Sequence, residues 1–115
     1  MSKYLITGTT TPEFASAMLS KPQNRYDVVK PFFDQVGLEI IDIFYTSGSV
    51  PNMFMICSGD SDAKVEALKN ITYATGTYRD LSWSRIYSAQ EYKEVYEYGH
   101  EIMAGYVSAL AASEE

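Results

Sequence analysis

The chain has 115 residues, 46% of them hydrophobic and 21% charged, which is typical of one folded domain and unlike a disordered chain. Its net charge is −6 and its nine Lys and Arg residues are scattered, which argues against binding to nucleic acid or to an anionic membrane. No apolar run approaches the roughly 20 residues that cross a bilayer. Residues 1–8 lack the pattern of a signal peptide, so we expect a cytoplasmic protein.

The first third of the chain predicts a strand followed by an interrupted helix. Residues 3–8 are a short β-prone run. Thr11 and Pro12 are typical of a helix start, because threonine caps helices and proline suits the first helical position. The helical pattern is interrupted at residues 20–22 and resumes near Asn24. Five apolar side chains of the resumed segment share one helical face: Val28, Val29, Phe32, Phe33 and Val36.

The middle of the chain predicts a β-hairpin. Gly37 ends the preceding helix, and residues 38–46 and 53–58 are two apolar, β-prone runs. The segment between them is rich in Gly, Ser, Pro and Asn, the residues that favour turns. We therefore expect two antiparallel strands joined by this turn.

A second helix and a last strand follow the hairpin. Residues 61–75 form an amphipathic pattern with Val65, Leu68 and either Ile71 or Thr72 as its apolar stripe. Residues 77–87 alternate in character, as a strand does. One face of that strand is predicted to carry Arg79, Leu81, Trp83, Arg85 and Tyr87.

The clearest local motif predicts a final helix. Ser88 and Glu91 have the spacing of a capping box, in which each side chain bonds the other residue's backbone N–H. The helix is expected to run from residue 89 towards residue 109, with a seam of tyrosines and methionines. Such a seam usually packs against protein, and we expect it to pack on a partner subunit.

The predicted order is β-α-β-β-α-β with an added C-terminal helix. This order indicates an α+β, ferredoxin-like fold, an antiparallel sheet with helices on one face. We expect residues 1–95 to form this domain, and residues 89–115 to form a helix and tail packed on the same domain or on its dimer partner. The uncovered sheet face predicts a homodimer through sheet faces. A higher oligomer through the C-terminal helix is a further possibility.

Several short motifs in this order resemble the GYD domain family of ferredoxin-like, dimeric α/β-barrel proteins. The resemblance covers residues 3–95. It rests on KYLITGTTTPE at the start, a helix ending in glycine before the second strand, IFYTSG, ATGTYR before the last strand, and SAQEY after it. It implies the fold and a dimeric barrel, and it implies little about activity.

The turn of the hairpin departs from that family. Gly48 matches the family's glycine, but Ser49-Val50-Pro51-Asn52 stands where a tyrosine and an aspartate are expected. The role of those two side chains in relatives therefore has no counterpart here.

The sequence contains no complete catalytic or metal-binding motif. His100 is the only histidine, which excludes a two-imidazole metal site and a metalloprotease motif. Cys57 is the only cysteine and is expected to be a buried, unreactive thiol. We therefore expect no metal and no cofactor, and whether the chain is an enzyme stays open.

The last strand supplies the candidate ligand site. Arginines beside aromatic rings suit an organic anion or a planar ring. The candidate ligand-binding residues are Arg79, Trp83, Arg85 and Tyr87, joined by Tyr4 and Tyr45 from neighbouring strands. The competing interpretation is that Trp83 packs under a helix and the arginines form salt bridges at an interface.

Three functions are compatible with this pattern. The leading one is a small dimeric α/β-barrel protein of unassigned activity that binds a small aromatic or anionic organic molecule between its sheet and helices. The second is a cofactor-independent oxygenase or isomerase with a pocket of Tyr, Trp and Arg, which rests on analogy between folds. The third is a structural oligomerisation module, favoured if side chains fill the interior.

Overall fold

The computed structural model describes residues 1–113, and it shows an α+β chain built on one four-stranded antiparallel sheet. The strands are β1 (Ser2–Thr10), β2 (Glu39–Tyr45), β3 (Met53–Gly59) and β4 (Tyr78–Ile86), arranged in the order β2-β3-β1-β4. The helices are α1 (Pro12–Ser20), α2 (Arg25–Val36), α3 (Asp62–Ala74), α4 (Ala89–Ile102) and α5 (Ala109–Ser113). The arrangement fits the ferredoxin-like α+β class. Over residues 1–113, every helix is too short or too polar to cross a membrane.

The helix starts are those that the sequence predicts. Thr11, Asn24 and Ser61 each accept a hydrogen bond from a backbone N–H in the first turn of α1, α2 and α3 respectively. Such caps satisfy amides that have no partner within the helix. Gly37 ends α2 with φ of +87°, a conformation that glycine adopts without strain.

The helices cover one face of the sheet and form the core there. Residues opposite one another in adjacent strands share a face, so Ile6 lies beside Met55 of β3 and Trp83 of β4. The buried core combines this face with side chains of α2 and α3, and comprises Tyr4, Ile6, Phe33, Leu38, Ile40, Met53, Met55, Cys57, Val65, Leu68 and Tyr78.

A β-bulge in β4 corrects the predicted face of Arg79. Thr9 pairs with Asp80, but Thr10 pairs with Tyr78, so Arg79 is an extra residue without a partner in β1. A bulge breaks the two-residue alternation of a strand. Tyr78 therefore points into the core, and Arg79 does not share the regular alternation that Leu81 continues along β4.

On the opposite face of the sheet, no helix of residues 1–113 is packed. Register places five apolar side chains there: Leu5, Phe44, Phe54, Ile56 and Ile86. We call these five residues the open face. Phe44 and Phe54 stack with ring centroids 5.5 Å apart and planes 10° from parallel.

The C-terminal helix extends away from the sheet. α4 buries no residue, and the radius of gyration is 19.0 Å, against about 13 Å for a compact domain of this length. α4 ends at Ile102 instead of continuing to residue 109, and a 3₁₀ turn follows over Met103–Gly105. No element of residues 1–113 packs on this end of α4, and Gly105 has low helix propensity, so the last turn tightens. The last two residues of the predicted 89–115 segment lie outside the described residues.

Candidate functional site

A cavity of about 370 Å³ lies between the sheet and the three helices that cover it. Its sheet side consists of Ile6, Ile43, Met53, Met55, Tyr78 and Leu81. Its helix side consists mainly of Phe14 and Met18 from α1, Val28, Val29, Phe32 and Phe33 from α2, and Leu68 and Ile71 from α3. The volume is in the range of small-molecule sites, and the lining is mostly apolar.

Three lining residues belong to the apolar stripes that the sequence predicts for α2 and α3. Val28, Phe32 and Ile71 lie on those stripes, yet they are 52%, 43% and 53% exposed. Their side chains border the cavity and are not covered by neighbouring side chains. The helices therefore present apolar surface to a space that the core does not fill.

One end of the cavity is polar. Arg25, the first residue of α2, lies there beside Gln23, and its Nη1 donates a hydrogen bond of 2.6 Å to Gln23 Oε1. Tyr45 at the end of β2 and Tyr78 at the start of β4 line the same cavity. Phe14 packs between these two tyrosines, with ring centroids 6.0 Å from Tyr45 and 5.6 Å from Tyr78.

The phenol of Tyr78 is protonated at neutral pH. Its residue is 9% exposed, and burial raises the pKa of the phenol. The neighbouring Tyr45 phenol raises this pKa further, and the Arg25 guanidinium acts in the opposite direction. The cavity thus has a phenol donor and a cation near one another.

A second cation lines the cavity but already has a partner. Lys69 Nζ lies 2.6 Å from Glu66 Oε1, three residues earlier on α3. This contact lowers the pKa of Glu66, which keeps the carboxylate ionised. The positive charge of Lys69 is therefore balanced, whereas no carboxylate within residues 1–113 lies within ion-pair distance of Arg25.

Two of the sequence-predicted ligand residues lie in the core next to each other. Tyr4 is 1% exposed, and its hydroxyl donates a hydrogen bond of 2.5 Å to Asp62 Oδ1 at the start of α3. Trp83 packs against Tyr4 in an edge-to-face contact, with ring centroids 5.6 Å apart. Trp83 is partly buried and packs against the core.

Arg85 stands opposite Tyr4 in the pairing of β1 with β4, and it lies against Tyr87. The Arg85 guanidinium stands 5.3 Å from the ring centroid of Tyr87, and both side chains are exposed. Arg79 is exposed at the bulge, where its Nε lies 3.4 Å from Asp80 Oδ2. Of the six predicted residues, only Tyr45 lines the cavity. The sequence-based prediction missed Arg25, for which it holds no signal, and Tyr78, which the bulge turns inward.

The potential metal ligands and the single cysteine are placed as follows. Within residues 1–113, no three His, Cys, Asp or Glu side chains are placed to hold a metal ion. Cys57 is fully buried, and burial raises the pKa of its thiol to about 11. The thiolate is therefore scarce at neutral pH, as expected of a structural cysteine.

Comparisons with known proteins give no assignment: no family model, no curated protein and no solved structure matches the chain. The resemblance of several motifs to the GYD domain family therefore stays a prediction. The cavity and its polar end are the observations that bear on function.

Proposed function

We propose that this chain is a small-molecule-binding protein of the dimeric α/β-barrel type, and that it holds an apolar or aromatic organic molecule between its sheet and its helices. The observation that carries the proposal is the cavity of about 370 Å³ bordered by exposed apolar residues of α2 and α3. The proposal takes in only one residue of the sequence-predicted site, Tyr45.

The energetic argument concerns Val28, Phe32 and Ile71. Apolar area removed from water contributes about 25 cal/mol per Å² to association. A bound apolar molecule would cover these three side chains and would contact the methionines of β3 on the opposite wall. Methionine side chains adapt their shape to different ligands, which suits a site for a flat or flexible hydrocarbon body.

The open face supports the dimer. Leu5, Ile56, Phe54 and Phe44 lie on three neighbouring strands of this face, and the two phenylalanines stack. Lys3 and Ser84 stand between these four residues and Ile86. An uncovered apolar sheet face of this kind is typical of an interface. We propose that two sheets pack through their open faces, so that each cavity lies on the outer side of its sheet.

The aromatic surface of α4 supports a second contact between the subunits. Tyr92 and Tyr96 are exposed and touch edge-to-face with centroids 5.1 Å apart. Tyr87 continues this row at 6.1 Å from Tyr92. Because α4 has no packing partner within residues 1–113 of its own chain, we propose that it packs on the partner subunit.

A fluorescence titration with the neutral dye N-phenyl-1-naphthylamine tests ligand binding. Ala17 lines the cavity and Ala63 is exposed on α3 outside it. Ala17→Trp should weaken dye binding at least tenfold by filling the space, whereas the matched Ala63→Trp should bind like the wild type. Far-ultraviolet circular dichroism checks that both variants are folded.

Two results would contradict the proposal. The first is a wild-type protein that shows no saturable increase in dye fluorescence. The second is an Ala17→Trp variant that is folded and binds the dye as tightly as Ala63→Trp, because the dye would then lie elsewhere.

A further inference from the structure

We propose that the cavity binds organic acids, with a carboxylate held at its polar end by Arg25 and the two tyrosines and an apolar body lying among the methionines and helix side chains. This inference rests on the proposed function and adds the charge of the ligand and its orientation.

Arg25 is placed to receive an anion. It is half-buried, and it lines both the cavity and an adjoining groove, so it stands where the two meet. Its only hydrogen bond to a side chain within residues 1–113 is the one to Gln23, a neutral amide. A guanidinium has five N–H donors, so most of them are available to a ligand.

Within residues 1–113, no carboxylate lies within ion-pair distance of the Arg25 guanidinium. Asp27, in the first turn of α2, is exposed and does not line the cavity. The positive end of the α2 dipole adds to the guanidinium charge at the same place. A partly buried cation beside apolar surface favours an anionic partner, because the pair is less screened there than in water.

Tyr45 and Tyr78 add hydrogen-bond donors at the same end. Both phenols line the cavity and both contact Phe14, which places them on one side of the space. A protonated phenol donates to a carboxylate oxygen, and such charge-assisted bonds are stronger than neutral ones. Lys69, the other cation of the lining, is paired with Glu66, so the acid group is expected at the Arg25 end.

Isothermal titration calorimetry with a matched pair of ligands tests the inference at pH 7.5. The ligands are 2-naphthylacetate and 2-naphthylacetamide, which share an apolar body and differ in charge. The wild-type chain should bind the acid at least tenfold more tightly than the amide. Arg25→Gln should lose this preference while its affinity for the amide is unchanged.

Arg79→Gln is the matched control. It removes an exposed arginine from the sequence-predicted site, outside the cavity, and should keep the wild-type preference for the acid. Tyr45→Phe should reduce the preference in part, since one donor remains at Tyr78.

The possible failures are distinguishable. Equal affinity of the wild type for acid and amide would overturn the inference and leave the proposed function standing. Binding of neither ligand would count against both. A folded Arg25→Gln variant that still prefers the acid, or an Arg79→Gln variant that does not, would show that another residue holds the anion and would overturn the role of Arg25.

Discussion

Asn52, at the end of the hairpin turn, ties the β2–β3 hairpin to β1. Its backbone N–H donates to Gly8 O at 3.0 Å, its Oδ1 accepts from Thr10 N–H at 3.0 Å, and its Nδ2 donates to Thr10 Oγ1 at 3.0 Å. Asn52 belongs to the segment that departs from the GYD pattern. The two side-chain bonds give this position a structural role in the present chain.

Asn52→Ala should lower the free energy of unfolding by about 1 to 3 kcal/mol, because the amide of Thr10 loses its acceptor in a partly buried place. Ser49→Ala, in the same turn, removes only an exposed hydroxyl contact to Thr46 and should change stability by less than about 0.5 kcal/mol. Urea denaturation measures both. Equal effects of the two substitutions would contradict the anchoring role.

Cys57 should make stability depend on pH in the alkaline range. Burial raises the pKa of its thiol from 9.0 to about 11, so the native chain holds this proton more tightly than the unfolded chain. Its contribution to stability is complete below pH 9 and is lost as pH rises through 11. Each pKa unit corresponds to about 1.4 kcal/mol, so the loss is about 3 kcal/mol.

The check is the free energy of unfolding at intervals between pH 8 and pH 11. The pKa values of the Tyr4 and Tyr78 phenols are also raised, mainly by the hydrogen bond to Asp62 and by burial respectively, and these groups add a further fall above pH 10, the ordinary pKa of tyrosine. Cys57→Ala should therefore flatten the profile mainly between pH 9 and pH 10. If the free energy of unfolding falls with pH in the same way for the wild type and for Cys57→Ala, burial of the Cys57 thiol is not the cause of the fall.

At the scale of single residues, the sequence predicts what depends on near neighbours. Thr11 is recognisable as a cap because it bonds an amide three residues ahead. The Tyr4–Asp62 hydrogen bond joins residues 58 positions apart, and the position of Arg25 beside Tyr78 likewise depends on how α2 packs on the sheet. A local sequence pattern carries no information about contacts between residues that are this far apart in the chain.

At the scale of elements, α4 is held by its cap more than by packing. Ser88 Oγ accepts from Glu91 N–H at 3.1 Å, and Glu91 Oε1 accepts from Ser88 N–H at 2.9 Å. Ser88→Ala should cost the helix about 1 kcal/mol, which accelerates its amide hydrogen exchange about fivefold. The amides of β1 should exchange at their wild-type rates, as α4 makes few contacts with the sheet.

Hydrogen exchange followed by mass spectrometry measures both segments in one sample. Gln90→Ala is the control, since its side chain makes only a 3.5 Å contact with Glu94 on the exposed surface. If Ser88→Ala accelerates amide exchange equally in α4 and in β1, the helix unfolds together with the sheet, which would contradict this description.

Two features of the strands and helices could not be predicted from the sequence. The alternation of β4 is correct from Leu81 to Arg85 and wrong at Arg79, because the bulge opposite Thr9 and Thr10 inserts one residue. The final helix was predicted too long, since its tyrosine pattern continues past Ile102 while no packed surface keeps the helix going. In both cases the local sequence pattern is present, but the final structure depends on what the segment packs against: β1 for the strand, and a packed surface for the helix.

At the scale of the whole molecule, the sequence was sufficient for the α+β class and for an uncovered sheet face. It was insufficient for the cavity, because the width of that space depends on how far α2 and α3 stand from the sheet. The helical periodicity of the sequence places Val28 and Ile71 on apolar stripes that are expected to be buried, yet both are exposed. Only the packed structure shows that they border an open space.

The open face predicts a dimer that a single charge disrupts. Phe44→Asp would bury a carboxylate between two sheets, which is costly without a partner charge. Size-exclusion chromatography with light scattering should give twice the chain mass of 12.9 kDa for the wild type, and the chain mass for Phe44→Asp. Leu19→Asp, on exposed α1, should remain a dimer. A wild type that is monomeric at micromolar concentration would contradict the dimer.

The binding of a small apolar molecule in the cavity is the central claim, and the five methionines offer the most direct test of it. Met18, Met53 and Met55 line the cavity, whereas Met1 and Met103 are exposed outside it. In a chain labelled with ¹³C-methyl methionine, N-phenyl-1-naphthylamine should shift the three cavity methyl signals in a saturable way and leave the other two in place. Unmoved cavity signals at saturating dye, or equal shifts of all five, would contradict the claim.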